Sequence, residues 1–107
     1  MKEKDNEAIK EFIEKVKNKL KSNLITLRLF GSRVRGEDRL YSDIDILVEV
    51  ERLDEKVWDE VMDIAFDVNL KWEIYISPRI VEKAKFRSQR WSATGFVQAI
   101  QREGVLL

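Results

Sequence analysis

The chain has 107 residues, 44% hydrophobic and 37% charged, and its 20 basic and 20 acidic side chains cancel. Those values describe one folded domain over 1–107 with a single modest core; they exclude a disordered tail and the clustered positive excess of a general polyanion binder, so no direct nucleic-acid binding is expected. Cysteine and histidine are both absent, which excludes disulfides, thiolate sites and imidazole acid–base or metal chemistry.

The opening "MKEKDNEAIK" is too charged for a signal peptide, and no apolar run approaches membrane length, so a cytoplasmic chain without a membrane partner is expected. Ile9, Phe12, Ile13, Val16 and Leu20 recur at helical spacing, which predicts an amphipathic helix over 5–21. "NLITLRLF" (23–30) alternates, with Ile25, Leu27 and Leu29 on one face, and reads as a strand. "GSRVRGEDRLYS" (31–42) holds two glycines among charges and reads as a loop or short helical turn.

"DIDILVEV" (43–50) is a second strand, joined to the first as an antiparallel pair or an offset hairpin. Asp54 is placed to cap a helix over 55–70 whose inner face would be Trp58, Val61, Met62, Ala65 and Val68. A third strand is expected over 71–77, "KWEIYIS", closed by Pro78. Two helical stretches follow, 79–87 and 93–103, with Gly104 as the stop of the second. The closing "VLL" either covers the core or pairs with a partner. This order gives an α/β (α+β) domain with helices packed on a small mixed sheet.

Side chains alternate along a strand, so Asp43 and Asp45 project from one side, roughly 6.5–7 Å apart at Cα, while Ile44 and Ile46 point into the core. Two unpaired carboxylates that close raise each other's proton affinity, and a divalent cation removes the cost. With no histidine or cysteine, the ligands are oxygens, which suits Mg²⁺ or Mn²⁺. An Asp-x-Asp arises easily by chance in so acidic a chain, but the preceding loop adds to it. Gly31 lets backbone approach a ligand, and Ser32 adds a hydroxyl where exposed N–H groups suit a phosphate. Metal carboxylates beside an anion cradle are the layout that phosphoryl or nucleotidyl transfer needs.

The stretch "GSRVRGEDRLYSDIDIL" resembles the signature of the minimal nucleotidyltransferases of the DNA polymerase β-like superfamily. Gly31, Ser32, Arg35, Gly36, Ser42, Asp43 and Asp45 match it, with the interval of ten residues between Ser32 and Asp43 intact. Val34 and Ile46 depart from it, where Ala and Leu are usual. The resemblance implies the nucleotidyltransferase fold and transfer of AMP from ATP to an acceptor hydroxyl with Mg²⁺. Asp43 and Asp45 would ligate the metal, Gly31 and Ser32 would hold the β/γ-phosphates, and Arg35 and Ser42 would complete the nucleotide site. The family's third carboxylate, which lies on the next strand, would be Glu73 unless the register puts Tyr75 in its place.

A chain of this size has no second domain to grip an acceptor, so a partner protein or a homodimer would supply that surface. Minimal members of the family are commonly antitoxins paired with a HEPN-domain ribonuclease toxin, whose tyrosine they modify with AMP, and the resemblance implies the same role here. The competing expectation is a binding module that retains the fold but neutralises its partner by contact alone, with Glu73 as the discriminating residue. Transfer to a small molecule ranks last, since it usually needs an added substrate domain. Trp58, Trp72 and Trp91 read as core or interface aromatics, and "KAKFRSQR" (83–90) as a solvated face.

Overall fold

A computed structural model of the chain describes residues 3–30, 43–88 and 105–107. Helix α1 spans Glu3–Leu20, with Glu3 and Asp5 in its first turn and Lys17 and Lys19 in its last, the charge order that the helix dipole favours. Ile9, Phe12, Val16 and Leu20 are buried as the spacing predicts, joined by Ala8, while Ile13 is half-buried. A 3₁₀ turn, Lys21–Asn23, leads into strand β1, Leu24–Phe30.

Strand β2, Ile44–Val50, pairs antiparallel with β1, in a register running from Leu24 opposite Val50 to Phe30 opposite Asp45. Asn23 fixes the far end of the pair. Its amide nitrogen donates to the Arg52 carbonyl and its amide oxygen accepts from the Arg52 N–H, both at 3.0 Å. Ile44, Ile46, Val48 and Val50 enter the main core beneath the helices, whereas Leu47 points to the other face, against Phe86 and Val81.

Helix α2, Glu55–Trp72, begins where Asp54 accepts a bond from the Val57 N–H at 2.8 Å. Val61, Ala65 and Val68 are buried as expected. The other two residues of the expected inner face behave differently: Trp58 is exposed and Met62 only half-buried, because they lie on the flank of the helix turned away from α1 and the core.

The third strand is displaced from its expected place. Residues 71–72 belong to α2, and β3 is Ile76–Glu82, parallel to β2. Glu73 takes φ 54° and ends the helix, and its N–H bonds the Asn69 carbonyl. The Asn69 side chain then grips Ile76, donating to its carbonyl at 3.1 Å and accepting from its N–H at 2.8 Å. Pro78 lies inside the strand rather than closing it. The Ile44 N–H donates to the Tyr75 carbonyl, so odd-numbered β3 residues address β2 and Pro78 turns its missing donor to the sheet's outer edge.

The expected helix over 79–87 is reduced to α3, Lys83–Phe86, because Ile80 and Val81 continue β3 beside Val48 and Glu49. Of the two expectations for the closing residues, covering the core is met by Leu107, which packs against it. Strand β4, Val105–Leu106, pairs antiparallel with β1, and the Leu107 N–H donates to the Leu27 carbonyl at 2.8 Å. The expected helix over 93–103 and its stop at Gly104 lie outside the described residues. The result is a mixed sheet in the order β3-β2-β1-β4 with α1 and α2 on one face, the expected α/β (α+β) layering of helices on a small mixed sheet. No helix among the described residues is long and apolar enough to cross a membrane.

Candidate active site

The sheet face opposite the two long helices carries the polar chemistry. Asp43 stands just before β2 and is exposed; Asp45 is the second residue of the strand and half-buried. Ile44 and Ile46, buried on the helix side, fix the strand so that both aspartates face the other way. Burial pushes the Asp45 carboxyl above its ordinary range; the Arg79 charge pulls it partly back, and the Asp43 charge adds to the rise.

Strand β3 supplies the neighbours. Ser77 lies directly opposite Asp45 in the parallel register. One step earlier, the Tyr75 carbonyl accepts from the Ile44 N–H at 2.7 Å, which sets Tyr75 beside Asp43. Arg79 follows on the same face. Ser77 is the last residue of the strand the sequence predicts, whereas Arg79 was missed because it lies beyond that strand's expected end. The alternation of Tyr75, Ser77 and Arg79 carries the signal once β3 is placed over "ISPRIVE".

Glu73 is not on this strand. It sits exposed at the C-terminal cap of α2, and no three acidic side chains converge on a cation site among the described residues. The structure therefore brings Asp43 and Asp45 together and leaves Glu73 out, a correction to the expected acidic trio. The reason is local: the helix runs through Lys71 and Trp72, and the chain spends Glu73 on the left-handed turn that releases it into β3.

A further acid on the polar face is already committed. Glu49, 1% exposed, accepts bonds from Arg87 at 2.9 and 3.3 Å and from the Thr26 hydroxyl at 3.0 Å. It lies four residues along β2 from Asp45, and three donors already occupy its carboxylate.

Gly31, Ser32, Arg35 and Ser42 lie outside the described residues, as do Arg33, Arg39 and Tyr41. The backbone still fixes where their segment attaches. It leaves β1 at Phe30, which pairs with Asp45, and returns at Asp43, so both its ends meet at the aspartate pair. Two carboxylates with no third acid beside them among the described residues suit a hard cation that completes its shell with phosphate oxygens and water.

Comparison with known proteins resolves what this arrangement belongs to. Residues 9–107 match the family model described as "Nucleotidyltransferase domain". The chain belongs to the nucleotidyltransferase family. Among its relatives in Methanocaldococcus jannaschii, "Putative protein adenylyltransferase MJ0141" is 35% identical over 92% of this chain and 94% of its own length. "Putative protein adenylyltransferase MJ1305" is 38% identical over 72% of this chain. The match spans only about half, 54%, of MJ1305. Of the solved structures it resembles, a "putative minimal nucleotidyltransferase" superposes at TM-score 0.57 with 22% identity, over 94% of each chain. A toxin–antitoxin crystal structure with AMP-PNP superposes at TM-score 0.55 with 23% identity, covering 89% of this chain and 68% of that one. At those identities both structures support the nucleotidyltransferase fold itself.

Proposed function

We propose that this protein transfers AMP from ATP to a hydroxyl group of a partner protein, as the antitoxin of a HEPN/nucleotidyltransferase pair. The observation that carries the reading is the placement of Asp43 and Asp45 on one strand face, with both ends of the signature segment meeting there. The names of the M. jannaschii relatives and the AMP-PNP and toxin–antitoxin content of one structural neighbour support it.

In this reading Asp43 and Asp45 hold Mg²⁺, with Mn²⁺ as a substitute, and Gly31, Ser32, Arg35 and Ser42 hold the triphosphate. The metal, when bound, neutralises charge on the phosphates and offsets the cost of the paired carboxylates. The acceptor oxygen attacks the α-phosphorus, the bond from that phosphorus to the bridging oxygen breaks, pyrophosphate leaves, and the hydroxyl proton passes to solvent. Charge stabilisation and positioning supply most of the acceleration in such a transfer. Arg79, close enough to act on Asp45, limits the negative charge of the face when no nucleotide is present.

A second reading rests on one observation: no third acid converges on Asp43 and Asp45 among the described residues. A nucleotidyltransferase fold without that acid neutralises its partner by binding it. Intact-mass spectrometry separates the two. A HEPN protein encoded beside this one, incubated with it, ATP and Mg²⁺, gains one or more AMP units under the first reading, and an Asp43→Asn/Asp45→Asn variant abolishes the gain. Under the second the two proteins form a stable complex with no mass change.

A further inference from the structure

Four large apolar side chains are exposed among the described residues: Trp58 at 46%, Phe66 at 63%, Leu70 at 66% and Tyr75 at 72%. Three belong to α2, at positions 58, 66 and 70, and half-buried Met62 fills the gap. The spacing is therefore i, i+4, i+8, i+12, one continuous row along the helix. The opposite flank of α2 is already used. Val61, Ala65 and Val68 fill the core, and Glu60, Asp63, Ile64 and Asp67 line a groove shared with α1. The row thus faces outward, and a free amphipathic row of this length is far more apolar than a solvent-facing helix needs to be.

The row has a charged border and a direction. Glu55 and Asp59 are exposed alongside it and form no ion pair among the described residues; Lys15 and Lys19 line the α1 groove on the other flank. An acidic border of this kind matches a basic partner surface, since opposite charges facing across an interface favour and select association. The row ends at Leu70, in the last turn of α2. The chain leaves that turn to place Tyr75 beside Asp43, so Leu70 lies at the end of the molecule that holds the two aspartates.

We propose that the outer face of α2 is the docking surface for the protein acceptor, through an apolar ridge on that partner flanked by lysine or arginine, which seats the acceptor at the Asp43–Asp45 end. The proposal rests on the adenylyltransferase reading only for what the docked protein carries. The surface itself is defined by Trp58, Met62, Phe66 and Leu70 and by the acidic border. Rim charge of this kind selects the partner and speeds encounter, while the buried aromatic and aliphatic anchors hold it.

The test uses two synthetic amphipathic helices with leucines at i, i+4 spacing, one flanked by lysines and its twin by glutamates. Each is titrated into ¹⁵N-labelled full-length protein. The lysine peptide should shift the amides of 58, 62, 66 and 70 and bind at least tenfold more tightly than its twin. A Phe66→Asp/Leu70→Asp variant, altered only at exposed positions, should lose that binding and keep the rest of its spectrum. Equal binding of both peptides, or shifts elsewhere, overturns the proposal. So does a concentration-dependent dimer in sedimentation velocity that the same variant abolishes, which would assign the face to a second copy. These readouts need no catalysis, so AMP transfer that fails while peptide binding holds refutes the functional reading and leaves the docking surface standing.

Discussion

Asp45 on β2 and Ser77 on β3 are direct partners in the parallel register, so the position beside the half-buried aspartate holds a hydroxyl. A carboxylate there adds a third acid to the pair. Ser77→Asp should tighten Mn²⁺ binding in the absence of nucleotide by about tenfold, ~1.4 kcal/mol, since a third oxygen anion joins the pair. The same variant should be ~1 kcal/mol less stable without metal, from like charges on one face. Manganese titration followed by electron paramagnetic resonance checks the first value and urea denaturation the second.

Burial raises the Asp45 carboxyl in the folded chain. The fold therefore holds the proton more tightly than the unfolded chain does. That contribution to stability is complete below the unfolded value of 3.8 and is lost as pH rises through the folded value. At neutral pH without metal, Asp45→Asn should be as stable as the wild type or more so, by up to about 1 kcal/mol, while losing metal-dependent ATP binding. Thermal unfolding and calorimetric titration measure the two effects, and a marked loss of stability would contradict the assignment.

Glu11 behaves in the opposite sense. Its bond from Lys71 lowers the carboxyl below 4.5, with burial working against it and Lys15 adding to the fall. The 2.6 Å pair joins α1 to α2, but Lys71 is largely exposed. Lys71→Met should therefore cost only ~0.5 kcal/mol at neutral pH. The difference from wild type should be present above about pH 4.5 and vanish as pH falls through the lowered value. Denaturant midpoints at two pH values test it.

Arg87 is half-exposed but covers a buried acid: its two bonds to Glu49 at 2.9 and 3.3 Å close the polar face beside α3. Arg87→Ala leaves Glu49 with only the Thr26 hydroxyl and should destabilise the fold by ~2 kcal/mol. Arg87→Lys should recover part of this, since a single ammonium replaces a fork. Urea denaturation of both variants gives the comparison.

Much of this was legible in the sequence because it is encoded locally. The buried stripe of α1, the alternation of β1 and the Asp54 cap each depend on residues within a few positions of one another. So does the Asp43–Asp45 pair. The misreadings share a different origin. "KWEIYIS" alternates like a strand, yet tertiary packing extends α2 through Trp72, and the Asn69 side chain sets where β3 begins. Ile80 and Val81 join β3 because β2 offers them a parallel neighbour, which no local pattern announces. Trp58 and Met62 fit a helical stripe, but which side of that stripe meets the core depends on where α1 and the sheet lie. Glu73 fails for the first of these reasons: a shift of one strand boundary takes it out of the site, keeps Ser77 and brings in Arg79.

The central claim is nucleotidyl transfer at Asp43 and Asp45, and one experiment addresses it directly. The protein is incubated with Mg²⁺ and the HEPN-domain protein proposed as its partner, using ATP labelled at either the α- or the γ-phosphate. The account predicts label on the HEPN protein from α-labelled ATP alone, abolished by Asp43→Asn/Asp45→Asn. Label from the γ-phosphate, or α-label that survives the double substitution, would contradict it.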